Sequence, residues 1–382
     1  MSAHIAARVS RCGLAAATTL ALVAGSQLST SPAFASASRS RPVSNPYSPA
    51  YHHAYRGGVI PTRSQMAKMR AWRRTHAAAT SVNNLNYGGG IDRIGVTTGK
   101  EKVYLVFYGS QWGTKGTNSN GNVTLSGDPK HTAPYLQQLF KGLGTGGELW
   151  SGVMTQYCQG IATGAQSCPS TNTQHVAYPT GGALAGVWVD EGTRSPSQAT
   201  GHQLGQVAVQ AAAHFGNTTA ASNRDAQYVI LSPTNTHPDG FNTLFGQFCA
   251  WHDYNRDTTL SGGPVSSPYG DIAFTNMPYV TDAGASCGQN FVNSNGTLDG
   301  VSIVEGHEYA ETITDQNPAG GWTDVSGSET GDKCAWISPG SAGGAANLTL
   351  RTGKFAMQTT WGNDGASGSG ACEFTHRIVP NG

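Results

Sequence analysis

Six cysteines in the C-terminal two thirds of the chain constrain its fold more than any other feature. An even set of cysteines in an exported protein is usually paired in disulfides, which fix loops that a hydrophobic core alone leaves loose. The sequence permits fifteen pairings, and we predict the nearest-neighbour pairing because it closes loops of modest length. The absence of a C-x-x-C spacing disfavours the alternative of a cysteine-rich zinc site. The predicted pairs are Cys158 with Cys168, Cys249 with Cys287, and Cys334 with Cys372.

The first 35 residues have the pattern of an export signal. Arg8 and Arg11 precede an apolar run over residues 13–25, and Ala33-Phe34-Ala35 provides a small-x-small cleavage site. The alternative is a membrane anchor, but the apolar run is only about half of the ~20 residues that a spanning helix needs. We therefore predict a signal peptide at residues 1–35 and a secreted, extracellular protein without integral membrane association.

Charge is distributed unevenly along the chain. Ten of the 23 Lys and Arg residues precede Asp92, and none of the 22 Asp and Glu residues does. The acidic remainder excludes nucleic acid as a partner, since phosphate binding requires a cationic face. Residues 36–86 are either a basic propeptide that covers an acidic site or a flexible basic linker. Arg73-Arg74 is a candidate processing site, and helical periodicity is limited to residues 64–76.

Strand and helix patterns alternate over residues 87–382, which contain no Pro/Ser-rich linker and therefore form a single predicted domain. This alternation is typical of an α/β or α+β fold in which helices cover a mixed sheet. The expected strands are residues 102–108, 185–189, 228–231 and 272–274. The expected helices are residues 132–143, 203–215 and 298–315.

The predicted helix at residues 298–315 contains the sequence H-E-x-x-E. His307 and Glu311 are four residues apart, so an imidazole and a carboxylate lie on one helix face and can hold one metal ion. Glu308 beside them is the candidate general base. The pattern differs from the zinc-peptidase H-E-x-x-H only in its last ligand. The alternative is an ordinary solvated helix face, although the clustering of these acidic residues in an acid-poor chain favours a bound cation.

A third carboxylate from the following segment would complete the metal site. Glu329 is the preferred third ligand, and Asp332 and Asp315 are alternates. One imidazole and two carboxylates suit Zn²⁺, and Ca²⁺ is the alternative cation.

Two histidines and two tryptophans are candidates for a substrate groove. His237 and His252 are either groove residues or surface histidines. Trp322 and Trp336 flank the acidic segments, and packing in an aromatic core is the alternative for both.

Several segments of the chain resemble the Exordium, or phosphate-induced protein 1, family of secreted proteins. The resemblance covers most of the region from Tyr87 to Cys372 and implies secretion and fold more than a reaction. It also implies that His307, Glu308, Glu311, Glu329, Asp332 and Cys334 belong to one shared site. The segments that carry it are residues 103–113, 140–157, 246–252, 306–311 and 329–334.

These observations lead to two functional hypotheses. The first is a secreted, monomeric, zinc metallopeptidase-like hydrolase that acts on a peptide or protein through a metal-activated water. The second is a non-enzymatic extracellular or cell-wall-associated binding protein with a structural cation. A serine hydrolase has no positive support, because the chain contains no G-D-S-G-G sequence.

Overall fold

The apolar runs of the sequence form one mixed sheet in the computed structural model, which describes residues 45–76, 83–169, 171 and 173–380. The four expected strands all form, with ends that differ by a few residues from the predicted ones. The strands are β1 (Gly57–Pro61), β2 (Asn86–Tyr87), β3 (Lys102–Tyr108), β4 (Lys115–Thr117), β5 (Val123–Leu125), β6 (Cys158–Gln159), β7 (Gln174–His175), β8 (Leu184–Asp190), β9 (Ala226–Leu231), β10 (Phe248–Tyr254), β11 (Ala273–Met277), β12 (Trp322–Thr323), β13 (Ala346–Leu350), β14 (Gly353–Met357), β15 (Thr360–Gly362) and β16 (Ala371–Glu373).

The main sheet has six strands in the order β1-β10-β11-β9-β3-β8. The four strands β11, β9, β3 and β8 are parallel, and β10 and β1 each pair antiparallel with their neighbours. The parallel strand β3 is buried along nearly its whole length, which explains its continuous apolar sequence. The remaining strands form two-stranded ribbons. The predicted mixed α/β fold is thus confirmed.

Helices cover both faces of this sheet. Gln227 and Tyr228 are consecutive in β9, so their side chains point to opposite faces. Gln227 Nε2 donates to Thr312 Oγ1 at 2.9 Å, and Tyr228 Oη donates to Asn223 Oδ1 at 2.7 Å. Thr312 and Asn223 belong to α5 and α4, which therefore lie on opposite faces. The helices are α1 (Arg63–His76), α2 (Thr132–Gly142), α3 (Gly201–His214), α4 (Ala220–Asn223), α5 (Asp299–Thr314) and α6 (Gly365–Gly368).

Helix α5 is buried at every position from Asp299 to Thr314. A helix buried on all sides is normally apolar on all sides. This helix instead carries several ionisable side chains in its second half, and polar groups at full burial require partners to offset their lost hydration. It contacts β1, β10, β11, α2 and β14. The ionisable part of α5 is therefore held in the middle of the molecule.

Strand β1 forms one edge of the main sheet and comes from the basic segment that precedes the predicted domain. Gly57 pairs with His252, and Ile60 with Ala250, so the register shifts between them. Such an irregularity is a β-bulge, which redirects the backbone locally. Residues 57–61 and 63–76 of this segment are a strand and a helix rather than irregular chain.

The three predicted disulfides are all present. Cysteine pairing follows the nearest-neighbour pattern, with separations of 10, 38 and 38 residues. Among the described helices, none combines the length and the apolar character required to cross a bilayer. The predicted signal peptide and its cleavage site lie outside the described residues. The pairs are Cys158–Cys168, Cys249–Cys287 and Cys334–Cys372.

Candidate metal centre

Helix α5 places the three residues of the H-E-x-x-E sequence in the interior. His307, Glu308 and Glu311 are each 0% exposed, so the interpretation as a solvated helix face is wrong. His307 Nε2 lies 3.0 Å from Glu311 Oε2, one helical turn away. The helix geometry thus brings an imidazole nitrogen and a carboxylate oxygen together, as their spacing predicts.

His252 of β10 brings a second imidazole to the same carboxylate. Its side chain is fully buried, so it is not a surface histidine. Trp251 packs edge-to-face on Phe274, and alternation along the strand directs His252 to the other face of the sheet, beneath α5. His252 Nε2 lies 3.9 Å from Glu311 Oε2 and 3.2 Å from Glu329 Oε2. The second histidine that is missing from the helix motif is supplied by the sheet.

The segment after α5 closes the site through its backbone. Glu311 Oε1 accepts hydrogen bonds from the main-chain N–H groups of Gly331 and Asp332, at 3.0 and 2.8 Å. Gly331 packs so closely that a Cβ there would lie 2.6 Å from His307 Nδ1. The two amides orient the Glu311 carboxylate and leave its Oε2 directed at the two imidazoles.

Gln358 holds His307 from the opposite side. His307 Nδ1 lies 3.2 Å from Gln358 Oε1, while Gln358 Nε2 donates to the Gly331 carbonyl at 2.9 Å. The amide can accept only through its oxygen, so this contact places a hydrogen on Nδ1. A histidine held in this way presents Nε2 to a metal, as is usual for metal-ligating histidines. No sequence signal distinguishes Gln358 from other glutamines.

Carboxyl groups outnumber cations in this part of the interior. Neither oxygen of Glu308 accepts a hydrogen bond within the described structure, and the same is true of Glu305, one turn earlier. Of the ion pairs among the described residues, none joins the five carboxyl groups to a Lys or Arg. Buried carboxylates of this kind require a counter-charge. The five are Glu305, Glu308, Glu311, Glu329 and Asp332.

At this centre, two groups of three side chains have ligand atoms within 4.8 Å of one another. Glu311 is common to both groups, and each group contains one of the two imidazoles. The orphaned Glu308 carboxylate and the mixed nitrogen and oxygen donors fit a divalent cation. The groups are His252 with Glu308 and Glu311, and His307 with Glu311 and Asp332.

Without a bound cation, protons would balance the charge of the site. Burial alone would lower the pKa of His307, but Glu311 and Asp332 outweigh burial and raise this pKa to about 9. Burial, followed by the repulsion of His307, lowers the pKa of His252 to about 3. His252 is therefore neutral, and the imidazolium of His307 is paired with Glu311.

Burial also raises the pKa values of the carboxyl groups. It is the largest cause for Glu308, whose pKa lies well above its usual value, and nearby Glu311 adds to the effect. The pKa of Glu329 is raised well above its usual value by burial and then by Asp315 and Glu311. His252 Nε2 and Glu329 Oε2 lie 3.2 Å apart and share a hydrogen bond. A divalent cation would replace these protons.

The predicted third ligands differ in their positions. Glu329 contacts His252, and Asp332 is grouped with His307 and Glu311. Asp315 belongs to neither group. Its two carboxylate oxygens accept main-chain N–H groups of Ala319 and Gly321, at 2.8 and 2.5 Å, and so fix the turn after α5.

We expect Asp315→Asn to destabilise the fold by about 1–3 kcal/mol, because one amide of that turn would face an NH₂ group instead of an acceptor. Urea unfolding measures this loss. Metal content should stay at the wild-type level. Loss of bound metal with unchanged stability would instead identify Asp315 as a ligand.

The four predicted groove residues divide into two pairs. His252 belongs to the centre, and Trp336 contacts the neighbouring strand β1, where its Nε1 donates to the Pro61 carbonyl at 2.7 Å. Trp322 is a core residue that donates to the Cys158 carbonyl at 2.9 Å. His237 contacts the Phe241 carbonyl through Nδ1 and belongs to neither metal-binding group.

Comparison of the chain with protein-family models, curated proteins and solved structures found no match. The resemblance to the Exordium family therefore remains a prediction.

Proposed function

We propose that this chain is an exported, metal-dependent peptidase. The observation that carries the proposal is the meeting of two imidazole nitrogens at one carboxylate oxygen, Glu311 Oε2, with the unpartnered Glu308 carboxylate beside them. Two nitrogen ligands with carboxylates suit zinc better than calcium, which prefers an all-oxygen shell. The three disulfides support an oxidising, extracellular location.

His307, Glu311 and His252 are the proposed ligands, together with Glu329. Glu329 is chosen over Asp332 because its Oε2 lies 3.2 Å from His252 Nε2, whereas Asp332 Oδ2 accepts the main-chain N–H of Glu329 at 3.2 Å. In this arrangement Asp332 orients the segment that carries Glu329. Two ligands are oriented by groups that do not bind the metal themselves: main-chain N–H groups donate to Glu311 Oε1, and the Gln358 side chain contacts His307 Nδ1.

Glu308 is the proposed general base. A divalent cation held by these residues would supply Lewis acidity, which would polarise a peptide carbonyl and lower the pKa of water at the site. Glu308 has no competing hydrogen bond among the described residues, so its carboxylate is available to accept a proton from water and to return it to the leaving amine. Burial strengthens every electrostatic interaction of this kind, because the surroundings have a low dielectric constant.

The proposal is tested by metal analysis and peptide cleavage on the full purified chain. We expect about one zinc ion per chain, and cleavage of casein or a peptide library that is lost on chelation and restored by zinc. His307→Ala should lose both metal and cleavage. Glu329→Gln should lower metal affinity more than Asp332→Asn.

His237→Ala is the matched control, because it removes an imidazole from a part of the fold outside both metal-binding groups. This variant should retain metal and cleavage. A chain that binds metal but cleaves nothing would contradict the peptidase and favour a binding protein with a structural cation. Cleavage that resists chelation would contradict the metal mechanism.

A further inference from the structure

The edge strand β1 runs along β10 directly above the candidate metal centre. Extended peptides bind many proteins by adding a strand to an exposed sheet edge, with main-chain hydrogen bonds to that edge. β1 pairs antiparallel with β10, and Gly57 lies opposite His252, one of the proposed ligands. The chain thus places its own extended segment where an added peptide strand would lie.

Gly58 reaches the centre itself. Its carbonyl oxygen lies 3.0 Å from His307 Nε2, the nitrogen that faces Glu311. A Cβ on Gly58 would come within 1.9 Å of Glu311 Oε2 and 2.5 Å of His252 Nε2, and its φ of +47° also favours glycine. A peptide carbonyl therefore occupies the position next to the proposed ligands, and only glycine fits there.

Residues on either side of Gly58 fix the strand in place. The side chain of Ile60 is completely buried, and the Pro61 carbonyl accepts the hydrogen bond from Trp336 Nε1 at 2.7 Å. Arg56 forms a buried ion pair with Asp239 at 2.8 Å, just before the strand begins. The burial of Ile60 defines a subsite for an apolar side chain, and the hydrogen bond to Pro61 defines a subsite for a main-chain carbonyl.

Charge complementarity favours this basic segment as the occupant. Residues 45–76 include six Lys and Arg residues and no acidic residue, and the Gly58 carbonyl of this segment contacts His307 at the centre. Arg73 Nη2 donates to Ser328 Oγ at 3.1 Å, next to Glu329. Arg70 donates to the Ala335 carbonyl.

We propose that β10 and the metal centre form a groove for an extended peptide with glycine beside the metal, and that residues 57–61 are the chain's own occupant of that groove. The required ligand is a peptide with glycine at the position of Gly58 and a β-branched residue two positions later. The inference rests on the proposed function, because it treats this peptide as an analogue of the substrate. Peptide binding can still be measured without cleavage.

The test uses the full chain and a fluorescent peptide that copies residues 55–62. Gly58→Ala in the protein should displace β1, because the new methyl group would overlap Glu311 and His252. The apparent affinity for the added peptide should then rise at least about tenfold over wild type, since an occupied groove lowers apparent affinity in proportion to the free fraction. Fluorescence anisotropy measures the binding.

Gly216→Ala is the matched control in the protein. Gly216 also has a positive φ, +74°, but a Cβ there meets nothing within 4 Å. This variant should bind the peptide as weakly as wild type. A peptide that carries the Gly58→Val change should bind none of the proteins. Arg56→Ala, which loosens the segment away from the groove, should also raise peptide affinity if Gly58→Ala fails to fold.

Equal peptide binding by wild type, Gly58→Ala and Arg56→Ala would overturn the inference, because β1 would then be a permanent strand of the fold. Binding of the valine peptide as tightly as the glycine peptide would also overturn it. Tight peptide binding by the variants without any cleavage would uphold the groove and contradict only the proposed peptidase. Cleavage together with equal peptide binding by all the proteins would uphold the proposed peptidase and contradict the groove.

Discussion

Glu308→Gln is expected to reduce peptide cleavage by about 10²–10⁴-fold, the usual contribution of a general base. Glutamine has nearly the same shape but cannot accept a proton from water at neutral pH. Bound metal should remain at the wild-type level, because His252, His307 and Glu311 are unchanged. Initial cleavage rates and elemental analysis of the same preparation give the two quantities.

Glu305→Gln is the matched control for this change. Glu305 is also fully buried and unpartnered among the described residues, on the same helix one turn earlier, but it belongs to neither metal-binding group. The control should retain most of the cleavage rate. A Glu308→Gln protein that cleaves normally would exclude this residue as the base, and one without metal would identify it as a ligand.

Removal of the Cys334–Cys372 disulfide, by changing both residues to serine, is expected to destabilise the fold by about 2–5 kcal/mol. The reason is that this bond closes a loop of 38 residues in the unfolded chain. It also ties the segment that carries Asp332 to β16. Metal affinity should therefore fall as well. Urea unfolding and zinc titration with a competing chelator measure the two effects.

The Cys158–Cys168 pair provides the comparison for this experiment. It closes a loop of only 10 residues, so its removal should cost less stability, and neither cysteine belongs to the two groups of side chains at the centre. Metal affinity should not change. Equal loss of metal affinity in both double variants would indicate a general loosening of the fold instead of a local effect at the site.

The sequence predicted the parts of the site that depend on local geometry. The spacing of His307 and Glu311 fixes their relation on a helix, whatever surrounds that helix. The strand at residues 102–108 and the helix around His307 follow from continuous patterns of apolar residues. The disulfides join the cysteines that are nearest in sequence, because the entropic cost of closing a loop increases with its length.

The rest of the site depends on pairing between distant segments, which periodicity does not encode. His252 enters because β10 lies under α5, and Gln358 because the strand β14 ends beside His307. Gly58 is some 250 positions from His307 in sequence. The strand pattern of residues 248–254 was available as a signal for the burial of His252, but no pattern links Gly58 or Gln358 to the centre.

Strand β1 is the last strand at its edge of the main sheet, and this position affects behaviour in solution. If β1 leaves, β10 becomes the edge, and six of its seven residues, all but Tyr254, are buried in the described structure. An apolar edge with unpaired N–H and C=O groups is a template for pairing with other chains. Displacement of this segment without a replacement peptide should therefore cause self-association that increases with protein concentration.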